Sequence, residues 1–324
     1  MCTAIKFVSE DFFFGRTLDN DCSYGEEVII TPRRKRFSYR DAGTVQAHYA
    51  FIGVGCVIDD YPMYYDAVNE KGLAMAGLRF AGNAVYNKVQ SGKDNIAQFE
   101  LIPWLLGGCA TVPEAKRALS RMNFTDTPFK PELPVSPLHW IIADKHAAIT
   151  VESTATGLHV YDNPVGVLTN NPPFPEQLFN LNNYMSLSPR PPKNEFSKKL
   201  NLTEYSRGMG ALGLPGDLSS QSRFVRAAFT ALNSTCCKTC DESVNQFFHI
   251  LGTVEQTRGC CVMENGEYEV TIYTSCMDAD KGIVYYTSYD NSRITAVDMH
   301  KENIDGTAII RYPFLHGETI FMQN

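Results

Sequence analysis

The sequence has no run of the roughly 18 to 20 apolar residues that a membrane-spanning helix needs. Its first residues also lack the charged, apolar and small-residue sections of a secretory signal. We therefore expect no membrane association and a cytoplasmic location.

Positive charge is scarce as well. Lys and Arg number 29 against 36 Asp and Glu, which gives a net charge of -7. The basic run at 33–36 is short and typical of a solvated loop, so we expect no nucleic-acid partner. With 324 residues and 44% hydrophobic content, the chain can instead bury a substantial core.

None of the seven histidines lies in an obvious catalytic context, and the ten cysteines are scattered as expected for cytoplasmic thiols. One cluster loosely resembles a four-cysteine zinc site: Cys236, Cys237, Cys240, Cys260 and Cys261. The segment between its halves has the pattern of an amphipathic helix, and adjacent cysteines in a strand at 260–261 would point to opposite sides. We therefore predict no metal there.

Short β-type runs fill the first third of the chain, at 4–8, 12–14, 28–31, 48–58 and 73–80. A mostly apolar helix is predicted at 95–107, and a capping-box motif at Thr111 predicts a second. Strands at 138–143, 147–153 and 157–161 follow, then helices at 223–232 and 243–251, then strands at 268–275, 282–288 and 294–299. This alternation favours two stacked antiparallel sheets between helical layers.

The segment 180–214 is rich in Asn, Ser, Pro and Lys and is too long for an ordinary connection. We interpret it as an excursion from one domain, so that 1–324 forms a single domain.

Cys2 would acquire unusual chemistry if Met1 were removed. The small side chain of Cys2 permits this removal. An α-amine of pKa about 7.7 to 8.0 would then sit beside a thiol of pKa about 8.5. The amine could take the thiol proton and return it to a leaving amine, without any histidine. A hairpin of 3–8 with 12–17 would also bring Arg16 and Asp19 back to the strand end that carries Cys2. The alternative for Cys2 is an ordinary thiol at a frayed chain end. The alternative for Arg16 and Asp19 is an ordinary surface ion pair.

Seven blocks resemble the choloylglycine hydrolases, which comprise bile salt hydrolases and penicillin V acylases of the N-terminal nucleophile class. They are MCTAI at 1–5, FGRTLD at 14–19, DDYPMYYDAVNEKGLAMAGL at 59–78, LHWIIAD at 138–144, GVLTNNP at 166–172, GLPGD with SRF at 213–224, and YTSCMD at 273–278. They occur in order over nearly the whole chain, and the bile salt hydrolase branch is the more similar.

The resemblance implies an α+β fold with four αββα layers, loss of Met1, and cleavage of an amide through a thioester acyl-enzyme, with no metal or cofactor. It implies five catalytic residues: Cys2 as nucleophile, Arg16 against the thiolate, Asp19 as acceptor from the amine, Asn170 as oxyanion donor and Arg223 as positive charge behind the nucleophile.

Arg79 departs from the family pattern, which usually has Asn or Tyr at this position. We hypothesise that its guanidinium lies at the mouth of the site and pairs with the carboxylate of glycine or the sulfonate of taurine. An outward arginine at a strand end is the alternative. Candidates for the apolar substrate face are Leu18, Ile58, Tyr65, Phe129 and Leu133, each with ordinary core packing as the alternative.

The small-molecule substrate implied by the resemblance is a glycine- or taurine-conjugated bile salt, with penicillin V or another N-acyl amide such as an acyl homoserine lactone as the alternative. A non-catalytic thiol-rich binding protein is disfavoured, because the five catalytic residues are all present. The 180–214 segment resembles the one with which these enzymes reach a neighbouring subunit, which implies a homotetramer.

Overall fold

The computed structural model describes residues 1–236 and 239–324. Its strands are β1 Cys2–Val8, β2 Phe12–Asn20, β3 Glu27–Thr31, β4 Phe37–Tyr39, β5 Gly43–Val45, β6 Phe51–Ile58, β7 Tyr61–Asn69, β8 Ala74–Arg79, β9 Asp94–Ala97, β10 Met122–Thr125, β11 Leu138–Ala143, β12 Ala148–Thr154, β13 Gly157–Asp162, β14 Val167–Leu168, β15 Val270–Asp278, β16 Ile283–Ser288, β17 Asn291–Asp298 and β18 Ile310–Pro313. Its α-helices are α1 Leu101–Gly108, α2 Val112–Leu119, α3 Phe174–Asn180, α4 Ser220–Asn233 and α5 Cys240–Gly252.

Two large antiparallel sheets dominate the fold. The first sheet has six strands in the order β14-β1-β2-β15-β16-β17, and the second has eight in the order β13-β12-β11-β8-β7-β6-β3-β18. Within each sheet the paired strands run antiparallel. The two-stranded pairs β4-β5 and β9-β10 lie outside them.

The two sheets stack face to face, and each carries helices on its outer face. Neighbouring residues of β3 show this, because Ile30 enters the core that includes α4 and α5, whereas Ile29 enters the core that includes α1 and α2. The predicted four-layer αββα architecture of the N-terminal nucleophile fold is therefore confirmed.

β1 and β2 are buried on both faces, since the first sheet lies between α4 and α5 on one side and the second sheet on the other. Consecutive apolar residues such as Phe12, Phe13 and Phe14 replace the alternation of a half-exposed strand. Gly15 lets β2 approach β15 closely, because a Cβ there would lie 2.0 Å from the Ser275 carbonyl oxygen.

The structure corrects several predictions. The helix expected at 95–107 is divided, because Asp94–Ala97 is a strand paired in parallel with β10, and α1 begins at Leu101. β7 was not predicted. The adjacent cysteines at 260–261 lie in a bend instead of a strand. The 180–214 segment contains the end of α3 and short 3-10 turns at Leu181–Tyr184 and Met209–Ala211, and is otherwise irregular.

No helix in the described part of the chain is both long enough and apolar enough to cross a bilayer.

Candidate active site

Cys2 begins β1 and is buried, with 7% of its surface exposed. Its cross-strand partner in β2 is Leu18. The hairpin predicted from sequence is confirmed, since all of β1 pairs with β2. The backbone nitrogen of Cys2, which becomes the α-amine once Met1 is lost, donates to Asn170 Oδ1 at 2.9 Å.

Met1 is present and its ammonium group is largely enclosed. It donates to the Asp19 carbonyl oxygen at 2.6 Å and forms an ion pair with Glu269, a buried carboxylate. Burial lowers the pKa of this ammonium, although Cys2 and Asp19 oppose the shift. An amine in this environment gives up its proton more readily than an exposed one.

Asn170 follows β14 and connects three parts of the site. Its Oδ1 accepts from the Cys2 nitrogen and from Arg223 Nη2, the latter at 2.7 Å, while its Nδ2 donates to the Arg79 carbonyl oxygen at 2.8 Å. The backbone nitrogen of Asn170 donates to Ser220 Oγ at 2.8 Å, at the start of α4. One Nδ2 hydrogen is used by Arg79, so the second is available to a substrate oxygen.

Arg223 lies in α4 with none of its surface exposed. Its Nη1 donates to the Cys2 carbonyl oxygen at 2.6 Å and to Thr3 Oγ1 at 2.7 Å. Burial lowers the pKa of Arg223, and the nearby Asp19 opposes that shift. The guanidinium therefore fixes the backbone of Cys2 and places positive charge beside it.

Arg16 lies on the β2 face that points to the second sheet, buried to 1% exposure. Its Nη1 donates to the Gly77 carbonyl oxygen at 2.5 Å and its Nε to the Thr17 carbonyl oxygen at 3.2 Å. Burial lowers the pKa of Arg16, but Cys2 and acidic neighbours outweigh burial and leave the pKa raised. These hydrogen-bond acceptors are neutral carbonyl groups, so they do not neutralise the guanidinium. The positive charge of Arg16 can therefore stabilise an anion at Cys2.

Asp19 lies near the end of β2 with a buried carboxylate. Thr271 Oγ1 donates to it at 2.7 Å and Thr17 Oγ1 at 3.3 Å. Burial raises the pKa of Asp19, against the lowering effects of Arg223 and the N-terminal ammonium. In this state the ammonium touches the Asp19 backbone carbonyl, and the carboxylate is held by threonines.

Asp66 in β7 was missed by sequence reasoning. It is fully buried between the sheets, where Tyr273 Oη donates to it at 2.5 Å and Ser275 Oγ at 2.6 Å. Burial raises its pKa to about 6, although Arg16 opposes the shift. Asp66 lies within the motif block at 59–78, and its place in that block was the feature of the sequence that could have identified it.

The predicted substrate-binding residues separate into two groups. Leu18 pairs with Cys2, the Tyr65 carbonyl accepts from Arg16 Nη1 at 3.4 Å, and the carbonyl of the exposed Arg79 accepts from Asn170. The structure therefore brings these three to the neighbourhood of Cys2.

Of the other three, Phe129 and Leu133 lie on a peripheral loop and Ile58 ends a strand. Phe129 packs edge-on against Phe99 with ring centroids 5.2 Å apart, beside a cavity of about 290 Å³ on the outer face of the second sheet. Ile58 is half-buried at the end of β6, and Leu133 is 38% exposed. The structure gives no contact between these residues and Cys2.

The cysteine cluster is dispersed among the described residues, and Cys237 lies outside them. Cys261 Sγ donates to Glu269 at 3.5 Å, while Cys240 Sγ donates to Asp278 at 3.3 Å. The potential metal ligands that the described residues gather are Asp11, Cys240 and Asp278. Lys281 forms ion pairs with both carboxylates, so this group fits a partly exposed ion-pair cluster around the buried Asp278.

The chain is similar in sequence and fold to several known proteins. A family model described as linear amide C–N hydrolases, choloylglycine hydrolase family, matches residues 2–312. A bile salt hydrolase/transferase of Lactiplantibacillus plantarum is 55% identical over 313 residues, covering 97% of each chain. A solved mutant of conjugated bile acid hydrolase from Clostridium perfringens superposes with a TM-score of 0.92 at 36% identity, covering 100% of both chains. Penicillin V acylase from Agrobacterium tumefaciens shares the fold, with a TM-score of 0.76 at 20% identity over 96% of this chain and 90% of that one.

Proposed function

The chain belongs to the choloylglycine hydrolase family of linear amide C–N hydrolases, and we propose that it hydrolyses the amide bond of glycine- or taurine-conjugated bile salts, releasing free bile acid and the amino acid. The observation that carries this proposal is the contact of the Cys2 nitrogen with Asn170 Oδ1, in a chain 55% identical to a protein named bile salt hydrolase/transferase. The contact fixes the nitrogen that becomes the α-amine of Cys2, the residue that also carries the thiol, once Met1 is lost.

Loss of Met1 converts that nitrogen from an amide into an α-amine. In its neutral form the amine takes the proton of the Cys2 thiol, directly or through water. Arg16 supplies the positive charge that favours the thiolate, and its burial strengthens the interaction.

Acylation begins when the Cys2 sulfur attacks the amide carbonyl carbon and a C–S bond forms. The carbonyl electrons move to oxygen, which takes a hydrogen bond from the free N–H of Asn170 Nδ2. The ammonium of Cys2 then protonates the departing nitrogen, and the C–N bond breaks. Glycine or taurine leaves, and the bile acyl group remains as a thioester on Cys2.

Deacylation uses the same groups in reverse. The neutral α-amine takes a proton from water, the resulting hydroxide equivalent adds to the thioester carbon, and the C–S bond breaks. The bile acid departs and the thiol is restored. No redox change occurs, and one water is consumed in each turnover.

Asp19 and Arg223 hold this pair in place. Arg223 binds the carbonyl of Cys2 and the side chain of Asn170, so it fixes both partners of the amine contact. Asp19, held by two threonines, supplies negative charge near the amine and favours the ammonium that must form during acylation.

The substrate would lie between Cys2 and the peripheral loops, with Leu18 and Tyr65 near the scissile bond and Ile58, Phe129 and Leu133 toward the steroid. Arg79 is exposed, and its carbonyl oxygen accepts a hydrogen bond from Asn170 Nδ2. Its guanidinium would pair with the anionic end of the amino acid.

Residues 1–324 would form one domain, and the exposed apolar residues of 180–214 would join four copies into a tetramer.

Release of amino acid from glycocholate and taurocholate tests the proposal, with 6-aminopenicillanic acid release from penicillin V as a parallel assay. We expect turnover of both bile conjugates, abolished in Cys2→Ser. Release from penicillin V alone would instead make the chain an acylase with a different substrate, and no release from any of the three would overturn the proposed function.

A further inference from the structure

His139 in β11 and Glu152 in β12 form a fully buried ionisable pair that the proposed reaction does not use, and both have 0% exposure. His139 Nδ1 lies 3.0 Å from Glu152 Oε1. Burying two titratable groups costs free energy unless they meet partners, so such a pair calls for a physical reason.

The other ring nitrogen points toward the active site. His139 Nε2 lies 2.9 Å from the carbonyl oxygen of Thr169, the residue that precedes Asn170. A carbonyl oxygen can only accept, so Nε2 carries the hydrogen and donates. The peptide that bears Asn170 is therefore hydrogen-bonded to the second sheet.

The imidazole ring is itself held on two sides. The Phe80 ring stacks on it with centroids 4.3 Å apart and planes 7° from parallel. Glu152 Oε1, which meets Nδ1, also accepts from the Phe174 nitrogen at 2.9 Å, at the start of α3. Because Nε2 donates to a carbonyl while Nδ1 faces a carboxyl oxygen, a second proton must lie between Nδ1 and Glu152.

We propose that His139 is a positioning residue for amide hydrolysis: its Nε2 hydrogen fixes the Thr169–Asn170 peptide and thereby the contact of Asn170 Oδ1 with the α-amine of Cys2. This inference rests on the proposed function. Asn170 must hold the amine and offer a donor to the oxyanion, and small displacements of such groups slow catalysis more than they weaken substrate binding.

Two substitutions separate the two ring nitrogens. In His139→Gln, the side-chain amide nitrogen reaches about as far as Nε2 and can still donate to the Thr169 carbonyl. In His139→Asn, the shorter side chain reaches about as far as Nδ1, so it keeps Glu152 and loses Thr169. The control is Val151→Ala in the adjacent strand, whose side chain lies in the outer core away from this loop.

We expect His139→Asn to lower kcat for glycocholate by about tenfold, the rate equivalent of one hydrogen bond, with KM changed less than twofold. His139→Gln should stay within about threefold of wild type. Val151→Ala should lower thermal stability and leave kcat unchanged. The proposal would be overturned if both His139 variants had the same kcat, or if kcat fell in proportion to melting temperature across all three variants. It would also be overturned if His139→Asn raised KM and left kcat unchanged.

Glu152→Gln covers the case in which His139→Asn does not fold. Its amide nitrogen can donate to Nδ1 in place of Oε1, which gives up the contact with the Phe174 nitrogen but leaves Nε2 donating to Thr169. It should therefore keep kcat within about threefold, and a tenfold loss in the folded variant would contradict the proposal. The rate of Cys2 alkylation by iodoacetamide, followed on the N-terminal peptide, needs no bile salt. It should be slower in His139→Asn than in His139→Gln, so a failure of the proposed substrate and a failure of this proposal give different results.

Discussion

Asp66 is a carboxyl group whose fully buried environment differs clearly from that of an exposed one. Its pKa is raised from 3.8 to about 6 by burial, so between these pH values the unfolded chain ionises while the folded chain keeps the proton. The contribution of Asp66 to the free energy of unfolding therefore falls as pH rises through that window and levels off above about 6.

Asp66→Asn removes this ionisation. We expect the difference in unfolding free energy between wild type and variant to shift against wild type by roughly 2 kcal/mol between pH 4 and pH 6.5, since one pKa unit corresponds to about 1.4 kcal/mol and this interval covers most of the titration. Urea denaturation at four pH values measures it. Parallel profiles for the two proteins would contradict the account.

Tyr273→Phe is the matched control for Asp66→Asn. It keeps the carboxyl group and removes a hydrogen bond that lowers the pKa of Asp66. The pH-dependent window should then extend above that of wild type instead of disappearing.

Arg79 offers a test of substrate selection. If its guanidinium pairs with the carboxylate or sulfonate of the leaving group, Arg79→Asn should raise KM for glycocholate and taurocholate up to about fivefold, the strength of an exposed ion pair, with little change in kcat. Steady-state kinetics on both conjugates decide the matter. Lys93→Asn, another exposed cation, should change neither constant, and unchanged kinetics in Arg79→Asn would remove the idea.

Part of the site could be predicted from residues close in sequence. Cys2, Arg16 and Asp19 belong to one hairpin, so strand spacing alone brought them together as a hypothesis. Asn170 and Arg223 came from the family resemblance, because nothing local relates them to Cys2.

Asp66 and Glu269 were missed for a physical reason. The Asp66 carboxyl meets Tyr273, and the Met1 ammonium meets Glu269, across separations of 207 and 268 residues. Such contacts depend on how the two sheets stack and how their strands are ordered, which local patterns do not specify.

At the scale of elements, β2 carries Arg16 into the centre of the first sheet and depends on the close approach to β15. Gly15→Ala should destabilise the fold by about 3 kcal/mol or more, because the added Cβ meets backbone at 2.0 Å and neither strand can yield alone. Thermal or urea denaturation measures the loss.

The control for Gly15 is Gly108 at the end of α1, where an added Cβ meets nothing within 4 Å. Gly108→Ala should be neutral or slightly stabilising. If both variants were equally stable, the close strand approach would not be what requires glycine at position 15.

Strands buried on both faces, such as β1 and β2, were predicted correctly from sequence, whereas β7 and the boundary between β9 and α1 were not. The run at 95–107 is apolar enough to satisfy a helical pattern, yet its first residues are a strand because β10 offers them a parallel partner. A buried strand and a buried helix have the same composition, and the choice is made by tertiary contacts.

At the scale of the molecule, the layered αββα arrangement followed from alternating groups of strands and helices, but the strand order did not. β2 pairs with β1 on one side and with β15 on the other, although most of the chain separates β2 from β15. That order places the N-terminal strand next to the centre of the first sheet, with Arg16 and Asp19 on opposite faces beside it.

The 180–214 segment exposes large apolar side chains, among them Met185 at 81%, Phe196 at 82% and Tyr205 at 84%. Exposed apolar surface of this kind marks a protein–protein contact. We expect light scattering with size exclusion to give the mass of a tetramer, and Phe196→Ser with Tyr205→Ser to give smaller species. Val89→Ser, at another exposed apolar residue, should leave the mass unchanged, and a monomeric wild-type protein would contradict the assembly proposal.

We expect Cys2, freed of Met1, to become acylated by a conjugated bile salt. Acid quenching during turnover of glycocholate, followed by mass analysis of the N-terminal peptide, measures this step. The peptide should begin at Cys2 and carry one cholyl group as a thioester. A peptide that retains Met1 in active enzyme, or a cholyl group on any other residue, would overturn the proposed mechanism.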